Sequence, residues 1–324
     1  MKKKIVLFLH KQTRGVPELL NMIEEAGMTP EVIYDAEKPE RIISGCKGAD
    51  AVLTILTPFD KDIIKSLDSS VKISVVAAMG YDHIDVAAAS ERKIYVANIP
   101  DYAVQEVAVH QIALMLSALR KICLYNKILH NGEWTELDFT AGYPVHRLSG
   151  MCYGLLGFGK ISRLVAKYTL AFGMSVMAYD PFIPKDFIIE AGVKYADNAD
   201  KIFENCDIIS PNIPLADESR YIIDKNAISK MKDGVIIVNT GRGALIEEHA
   251  LIEGLESGKI RAAALDVFEN EPFCDKTNPL MKMDNVIMTP HIAYHTEESE
   301  KEVMTRAVAA AISGAEGKIP LNVI

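Results

Sequence analysis

The chain has no Cys-x-x-Cys pair. Its five cysteines (Cys46, Cys123, Cys152, Cys206, Cys274) are scattered and odd in number, which argues against a disulfide framework or a zinc site and suits a reducing cytosol. Basic charge is scarce as well: the formal net charge is −9, and Lys2-Lys3-Lys4 is the one basic cluster. That balance opposes binding to phosphate backbones or anionic membranes. No long apolar run is present. The longest, Val107 to Leu119, is interrupted by His110 and Gln111 and falls short of the ~20 apolar residues a span needs. Ile5 to Leu9, behind the lysines, is too short for a signal peptide and reads as a first strand. No low-complexity tract or short repeat occurs. These absences predict a soluble, cytoplasmic protein with no nucleic-acid, membrane or metal partner.

What is there is apolar material in alternating blocks. With 49% apolar residues in 324, two domains of ordinary size are expected. Ile5–Leu9, Glu31–Tyr34, Ala51–Leu56 and Ile73–Ala78 read as strands with helical spacers, the first being Val16–Ala26. Such alternation predicts a doubly wound parallel sheet, punctuated at Asn98-Ile99-Pro100. A long helical pattern, Val104 to about Leu129, reads as a connector. A second α/β series runs from Tyr153 to about His291, and Glu297–Ala315 forms a last amphipathic helix expected to return to the first domain. The boundaries are therefore placed at 1–100 with 293–324 for one domain and 101–292 for the other.

Tyr153-Gly154-Leu155-Leu156 leads into Gly157-Phe158-Gly159-Lys160-Ile161-Ser162, which opens a helix. This is the dinucleotide fingerprint with serine at its third glycine position. Gly157 permits the turn, Gly159 lets a pyrophosphate approach the backbone, and the helix N-terminus offers N–H groups to that anion. Ser162 would hold the helix slightly farther out. The next strand, Met174–Tyr179, ends at Asp180, whose carboxylate suits the ribose hydroxyls and repels a 2′-phosphate; NAD is favoured over NADP.

Three later strands carry the chemistry. Val235–Thr240 leads to Arg242, Ala262–Val267 to Glu271, and Val286–Pro290 to His291. Buried parallel strands bind ligands beyond their carboxyl ends, so a guanidinium fork, a carboxylate and an imidazole would share one edge. Taken singly, each has a bland reading: a turn arginine, a solvated loop acid (with Glu269 as a competitor) and a structural histidine. Together they describe proton transfer with a handle for an acidic substrate. Asp266, a charge inside a buried strand, needs a reason; contact with the nicotinamide end of the cofactor and a structural hydrogen bond are the two offered.

These motifs together resemble the D-2-hydroxyacid dehydrogenase family along nearly the whole chain, most densely from Gly80 to Thr296. Met79-Gly80-Tyr81-Asp82-His83-Ile84-Asp85, Asn98-Ile99-Pro100 through Val107-Ala108, Lys230–Gly234 through Arg242-Gly243, Leu265–Phe268 through Glu271-Pro272, and Thr289-Pro290-His291 carry the likeness. His146-Arg147-Leu148 and Tyr294 to Ser299 resemble the branch of C-terminal-binding proteins and related bacterial dehydrogenases. The resemblance implies an α/β fold of two doubly wound parallel-sheet domains, with a Rossmann NAD-binding domain inserted into a flavodoxin-like substrate domain. It implies a homodimer that interconverts a 2-keto acid and a D-2-hydroxy acid, with the two domains closing over the cleft. Arg242 is implied as the substrate-binding arginine, His291 as acid/base and Glu271 as its partner. Backbone N–H groups of Ala78, Met79 and Gly80 would hold the substrate carboxylate, with Tyr294 lining the pocket. Val104, Gly157, Gly159, Lys160, Ile161, Asp180, Asn212, Pro214, Thr240, Gly241 and Asp266 are the implied cofactor contacts. The chain departs from the family at Ala78, Val109, Asn212 and Ser162. An NADH-sensing scaffold with vestigial activity is the alternative that the branch admits; the three retained catalytic residues favour the enzyme.

Overall fold

The computed structural model describes residues 2–134 and 144–324. Contact density divides them into two units, one running to Tyr102 and resuming at Thr296–Ile324, the other Ala103–His295.

The first unit alternates β1 (Lys4–Leu9), α1 (Val16–Glu25), β2 (Thr29–Tyr34), α2 (Pro39–Gly45), β3 (Ala51–Thr54), α3 (Lys61–Ser66), β4 (Ile73–Val76), α4 (Val86–Glu91) and β5 (Tyr95–Ala97). The strands pair in parallel in the order β2-β1-β3-β4-β5, the doubly wound arrangement of flavodoxin-like sheets. β3 and β4 are buried at every residue, as strands covered on both faces must be. The runs expected to reach Leu56 and Ala78 stop as strands at Thr54 and Val76, and their last residues form the loops beyond the carboxyl edge.

The second unit holds α5 (Val104–Arg120), α6 (Ile122–His130), β6 (Cys152–Leu156), α7 (Lys160–Ala171), β7 (Ser175–Tyr179), α8 (Lys185–Glu190), β8 (Lys194–Tyr195), α9 (Ala199–Asn205), β9 (Ile208–Pro211), α10 (Lys225–Lys230), β10 (Val235–Asn239), α11 (Glu248–Glu256), β11 (Ile260–Leu265) and β12 (Val286–Met288). Its strand order, β12-β11-β10-β9-β6-β7-β8, reverses direction at β6 and β9, which creates a crevice beyond their carboxyl ends. α7 follows from spacing: Ser162, Val165, Ala166 and Thr169 form its buried stripe.

The chain closes with α12 (Glu297–Ala315), which lies on β1, β3, β4 and α1 of the first unit. Thr296 and Ser299 cap it reciprocally, and Glu297, Glu298 and Glu300 complement its first turn.

The helix expected from Val104 to Leu129 is two helices. Lys121 takes a left-handed backbone (φ 54°) and the axis bends by 64°. No glycine or proline signals the break. α5 packs on α7, β10, β11 and β12 inside the second unit. Among the described residues no single helix is long and apolar enough to cross a membrane; only the bent α5–α6 pair passes on length and composition together.

Candidate active site

The glycine turn sits at the switch point. Gly157, with φ +93°, would place a Cβ 2.7 Å from the Asn212 carbonyl oxygen, so no side chain fits where β6 meets the loop after β9. Its N–H donates to the Tyr179 carbonyl (2.7 Å). The Phe158 and Phe182 N–H groups donate to the two Asp180 oxygens (2.7 and 2.8 Å), which ties the turn to the end of β7. Gly159 is the N-cap of α7 and no side chain caps that helix. A Cβ on Gly159 would meet nothing within 4 Å, leaving the backbone around Lys160 and Ile161 open to approach. Asn212 accepts from Ser210 Oγ (2.8 Å), while its Nδ2 is buried without a hydrogen-bond partner among the described residues. Exposed Pro214 follows. This cradle fits a dinucleotide: an open glycine at an uncapped helix start, an amide without an acceptor, and a carboxylate fixed beyond the second strand. Ser162 is buried in the α7 stripe and its Oγ also lacks a partner there.

Three loops beyond β10, β11 and β12 converge farther along the same edge. Asn239 clamps the first loop, its Nδ2 donating to the Arg242 carbonyl (2.9 Å) and its Oδ1 accepting from the Gly241 N–H (3.0 Å). Thr240 Oγ1 donates to Gln111 Oε1 (3.0 Å). Gly243 presses against the second loop; a Cβ there would come within 2.0 Å of the Phe268 carbonyl. That approach brings the Arg242 turn against the segment carrying Glu271. Glu271 accepts the Phe268 N–H on Oε1 (2.8 Å) and faces His291 Nδ1 through Oε2 at 2.7 Å. The competing acid, Glu269, accepts instead from the Tyr221 hydroxyl. Burial works to raise the Glu271 carboxyl. The hydrogen bond and charge of His291, the Phe268 N–H and the nearby Arg242 guanidinium outweigh it, so Glu271 is held below the usual glutamate range.

His291 itself has a left-handed backbone, φ 53°, a conformation that costs a non-glycine residue and needs external support. Asp266 supplies it. The Asp266 carbonyl accepts the His291 N–H (2.7 Å). Its fully buried carboxylate accepts from the Thr289 hydroxyl and from the N–H groups of Ile292 (3.0 Å) and Ala293 (2.9 Å). Of the two reasons offered for this buried charge, the hydrogen-bonded one is visible: the carboxylate holds the loop that presents the imidazole. Tyr294 stands edge-on to His291, ring centroids 6.5 Å apart.

Sequence reasoning gives His110 and Gln111 no role, and the structure gives each of them partners. His110 Nε2 lies 3.0 Å from Thr289 Oγ1 and 3.5 Å from Asp266. Gln111, fully buried, donates to Tyr153 Oη and Ser210 Oγ, both at 2.8 Å. They are adjacent polar interruptions of the apolar stretch in α5, and a buried polar group requires a partner. Val104 opens the same helix. Ala78, Met79 and Gly80 belong to the first unit, just past β4, where Ile99 N–H donates to the Ala78 carbonyl (3.0 Å) and Asn98 Nδ2 to the Met79 carbonyl (2.6 Å).

Fold and site define a class: an α/β dinucleotide-binding protein with an acid–imidazole pair and a guanidinium beyond adjoining strands. Comparison with known proteins gives the family. Residues 112–293 match the model of the D-isomer specific 2-hydroxyacid dehydrogenase NAD binding domain, and the chain belongs to that family; its cofactor is NAD. It is 39% identical over 308 residues to a D-3-phosphoglycerate dehydrogenase of Methanocaldococcus jannaschii, covering 95% of this chain and 57% of the relative. The chain thus spans little more than half the length of that protein. A hydroxypyruvate reductase of Thermotoga maritima is 42% identical, over 78% of this chain and 80% of the relative. Among solved structures, the D-lactate dehydrogenase of Aquifex aeolicus complexed with NAD and lactic acid superposes with a TM-score of 0.87 at 27% identity, covering 98% of both chains.

Proposed function

We propose that this protein interconverts a 2-keto acid and a D-2-hydroxy acid. The second unit binds NAD, and the backbone N–H groups of Ala78, Met79 and Gly80 are read as a carboxylate-binding loop of the first. The observation that carries the reading is the 2.7 Å His291–Glu271 pair, which joins the loops after β12 and β11 beside the one that holds Arg242. Bound NADH supplies the hydride that reduces the keto carbon. Arg242 receives the substrate's carboxylate and keto oxygen in its planar fork and polarises the carbonyl. His291 gives a proton to the oxygen as it gains charge, and Glu271 stabilises the imidazolium and fixes its ring. In the reverse direction His291 takes the hydroxyl proton. Gly157, Gly159, Lys160, Ile161 and Asn212 hold the pyrophosphate side, Asp180 the ribose, and Val104, Pro214, Thr240 and Gly241 line the rest. A cytoplasmic homodimer is the form in which we expect the enzyme to work.

The test is NADH oxidation with a panel of 2-keto acids, among them glyoxylate, hydroxypyruvate and pyruvate, followed by chiral analysis of the product. Oxidation yielding the D isomer is expected. NADH binding with no turnover on any acceptor would replace the enzyme with the sensing scaffold.

Glu271→Gln carries a prediction with a sign. Because the folded carboxyl is held below its ordinary value of 4.5, its contribution to stability is complete above that value and is lost as pH falls through the lowered one. The wild-type advantage in melting temperature over Glu271→Gln is therefore expected to shrink as pH falls below about 4.5. Without the Glu271 carboxylate the imidazole also loses the partner that fixes its ring, so keto-acid turnover is expected to fall while NADH affinity holds. Wild-type turnover in Glu271→Gln would remove Glu271 from this role.

A further inference from the structure

Two thiols that the proposed chemistry does not use lie at the opposite end of the same sheet. Cys152 is the first residue of β6, and Cys206 caps the C-terminus of α9 just before β9. β6 and β9 are hydrogen-bonded neighbours with Tyr153 opposite Ile208. Cys152 donates its N–H to Asp207 Oδ2 (2.7 Å), and the Asp207 N–H returns to the Cys152 carbonyl (2.9 Å). That reciprocal pairing fixes the two cysteines on adjoining strand starts, with their sulfurs 3.7 Å apart. A glycine makes the room: a Cβ on Gly154 would fall 2.8 Å from Cys206 Sγ.

We propose that Cys152 and Cys206 form a modification site, a thiol pair that a hydroperoxide converts to a disulfide joining the start of β6 to the end of α9. The sulfurs must close to the ~2.05 Å of a disulfide, a movement side-chain rotation supplies between strands ~4.8 Å apart. The two thiols are unlike in the way the reaction needs. The hydrogen bond between the two sulfurs brings the Cys152 thiol down to about 6 against the opposing effect of burial, with Ser175 and the charge of Lys194 assisting. The same bond together with burial drives the Cys206 thiol up. That direction suits Cys152 to attack and Cys206 to resolve. Elsewhere the conditions are not met: Cys46 is buried alone and raised to about 12, and Cys123 and Cys274 are exposed singly.

The step balances. The Cys152 thiolate attacks one peroxide oxygen, the O–O bond breaks, and hydroxide (or alkoxide) leaves, giving a sulfenic acid. Cys206 then attacks that sulfur and loses its proton, and the S–O bond breaks to release water. Each sulfur gives up one electron and the peroxide is reduced by two. The pair is at the amino ends of β6 and β9, a strand's length from the Gly157 turn, so NADH binding is expected to survive oxidation.

Reduced full-length protein treated with a small excess of hydrogen peroxide, quenched, unfolded and alkylated, is expected to yield tryptic peptides 148–160 and 202–220 joined and lighter by two hydrogens. The link should disappear with dithiothreitol, and the melting temperature should rise on oxidation and return on reduction. In Cys206→Ser the resolving thiol is gone, so dimedone is expected to trap a sulfenic acid on Cys152. Full alkylation of both cysteines in peroxide-treated wild type, while Cys123 and Cys274 oxidise, would overturn the proposal. So would the absence of a dimedone adduct in Cys206→Ser.

Discussion

Replacing His291 with asparagine is expected to lower keto-acid turnover by about 10²- to 10⁴-fold, the range of a positioned general acid, with NADH affinity unchanged. Asparagine is the informative substitution because the residue stands at φ 53°, and asparagine tolerates the left-handed region better than alanine. The backbone bonds to Asp266 and Thr289 therefore persist, and what is lost is the imidazole alone. Stopped-flow reduction together with fluorescence titration of NADH separates the two effects. A variant that keeps wild-type turnover would take the proton donor away from this loop.

Replacing Asp266 with asparagine is expected to cost about 1–3 kcal/mol of stability, because a buried donor left unpaired incurs its desolvation penalty in full. The carboxylate accepts from one hydroxyl and two backbone N–H groups with no exposure to solvent. An amide turns one of those acceptors into a donor facing a donor. The segment released is the one that carries His291, so turnover should fall along with stability. Denaturant unfolding and steady-state kinetics on one preparation measure both. Unchanged stability would show that the hydrogen bonds to the 289–293 loop contribute nothing net.

The predictions differ in what could be foreseen. The strand-and-helix alternation, the two parallel sheets and the glycine turn are all legible in the residues, because each rests on a local period or on a residue type confined to one backbone region. So is the placement of Arg242, of an acid in the loop after β11 and of His291 beyond buried strands of one sheet. The choice between Glu269 and Glu271 is not legible. Both are loop acids two residues apart, and only the fold shows one bound by Tyr221 and the other facing His291. The break at Lys121 is equally hidden, for a lysine carries no turn signal. His110 and Gln111 were visible as polar interruptions, yet their partners lie across the sheet on loops far away in sequence.

The sequence by itself determined the elements and their type, the binding of a dinucleotide, and which ionisable residues close the later strands, because hydrophobic period, glycine placement and chain order are local properties. Tertiary structure alone decided which acid pairs with the imidazole, that Asp266 supports the loop, that His291 is held in a left-handed conformation, and that Cys152 meets Cys206. Each of these depends on distances between residues brought together by strand order, and a parallel sheet places chain-distant loops side by side at its edges.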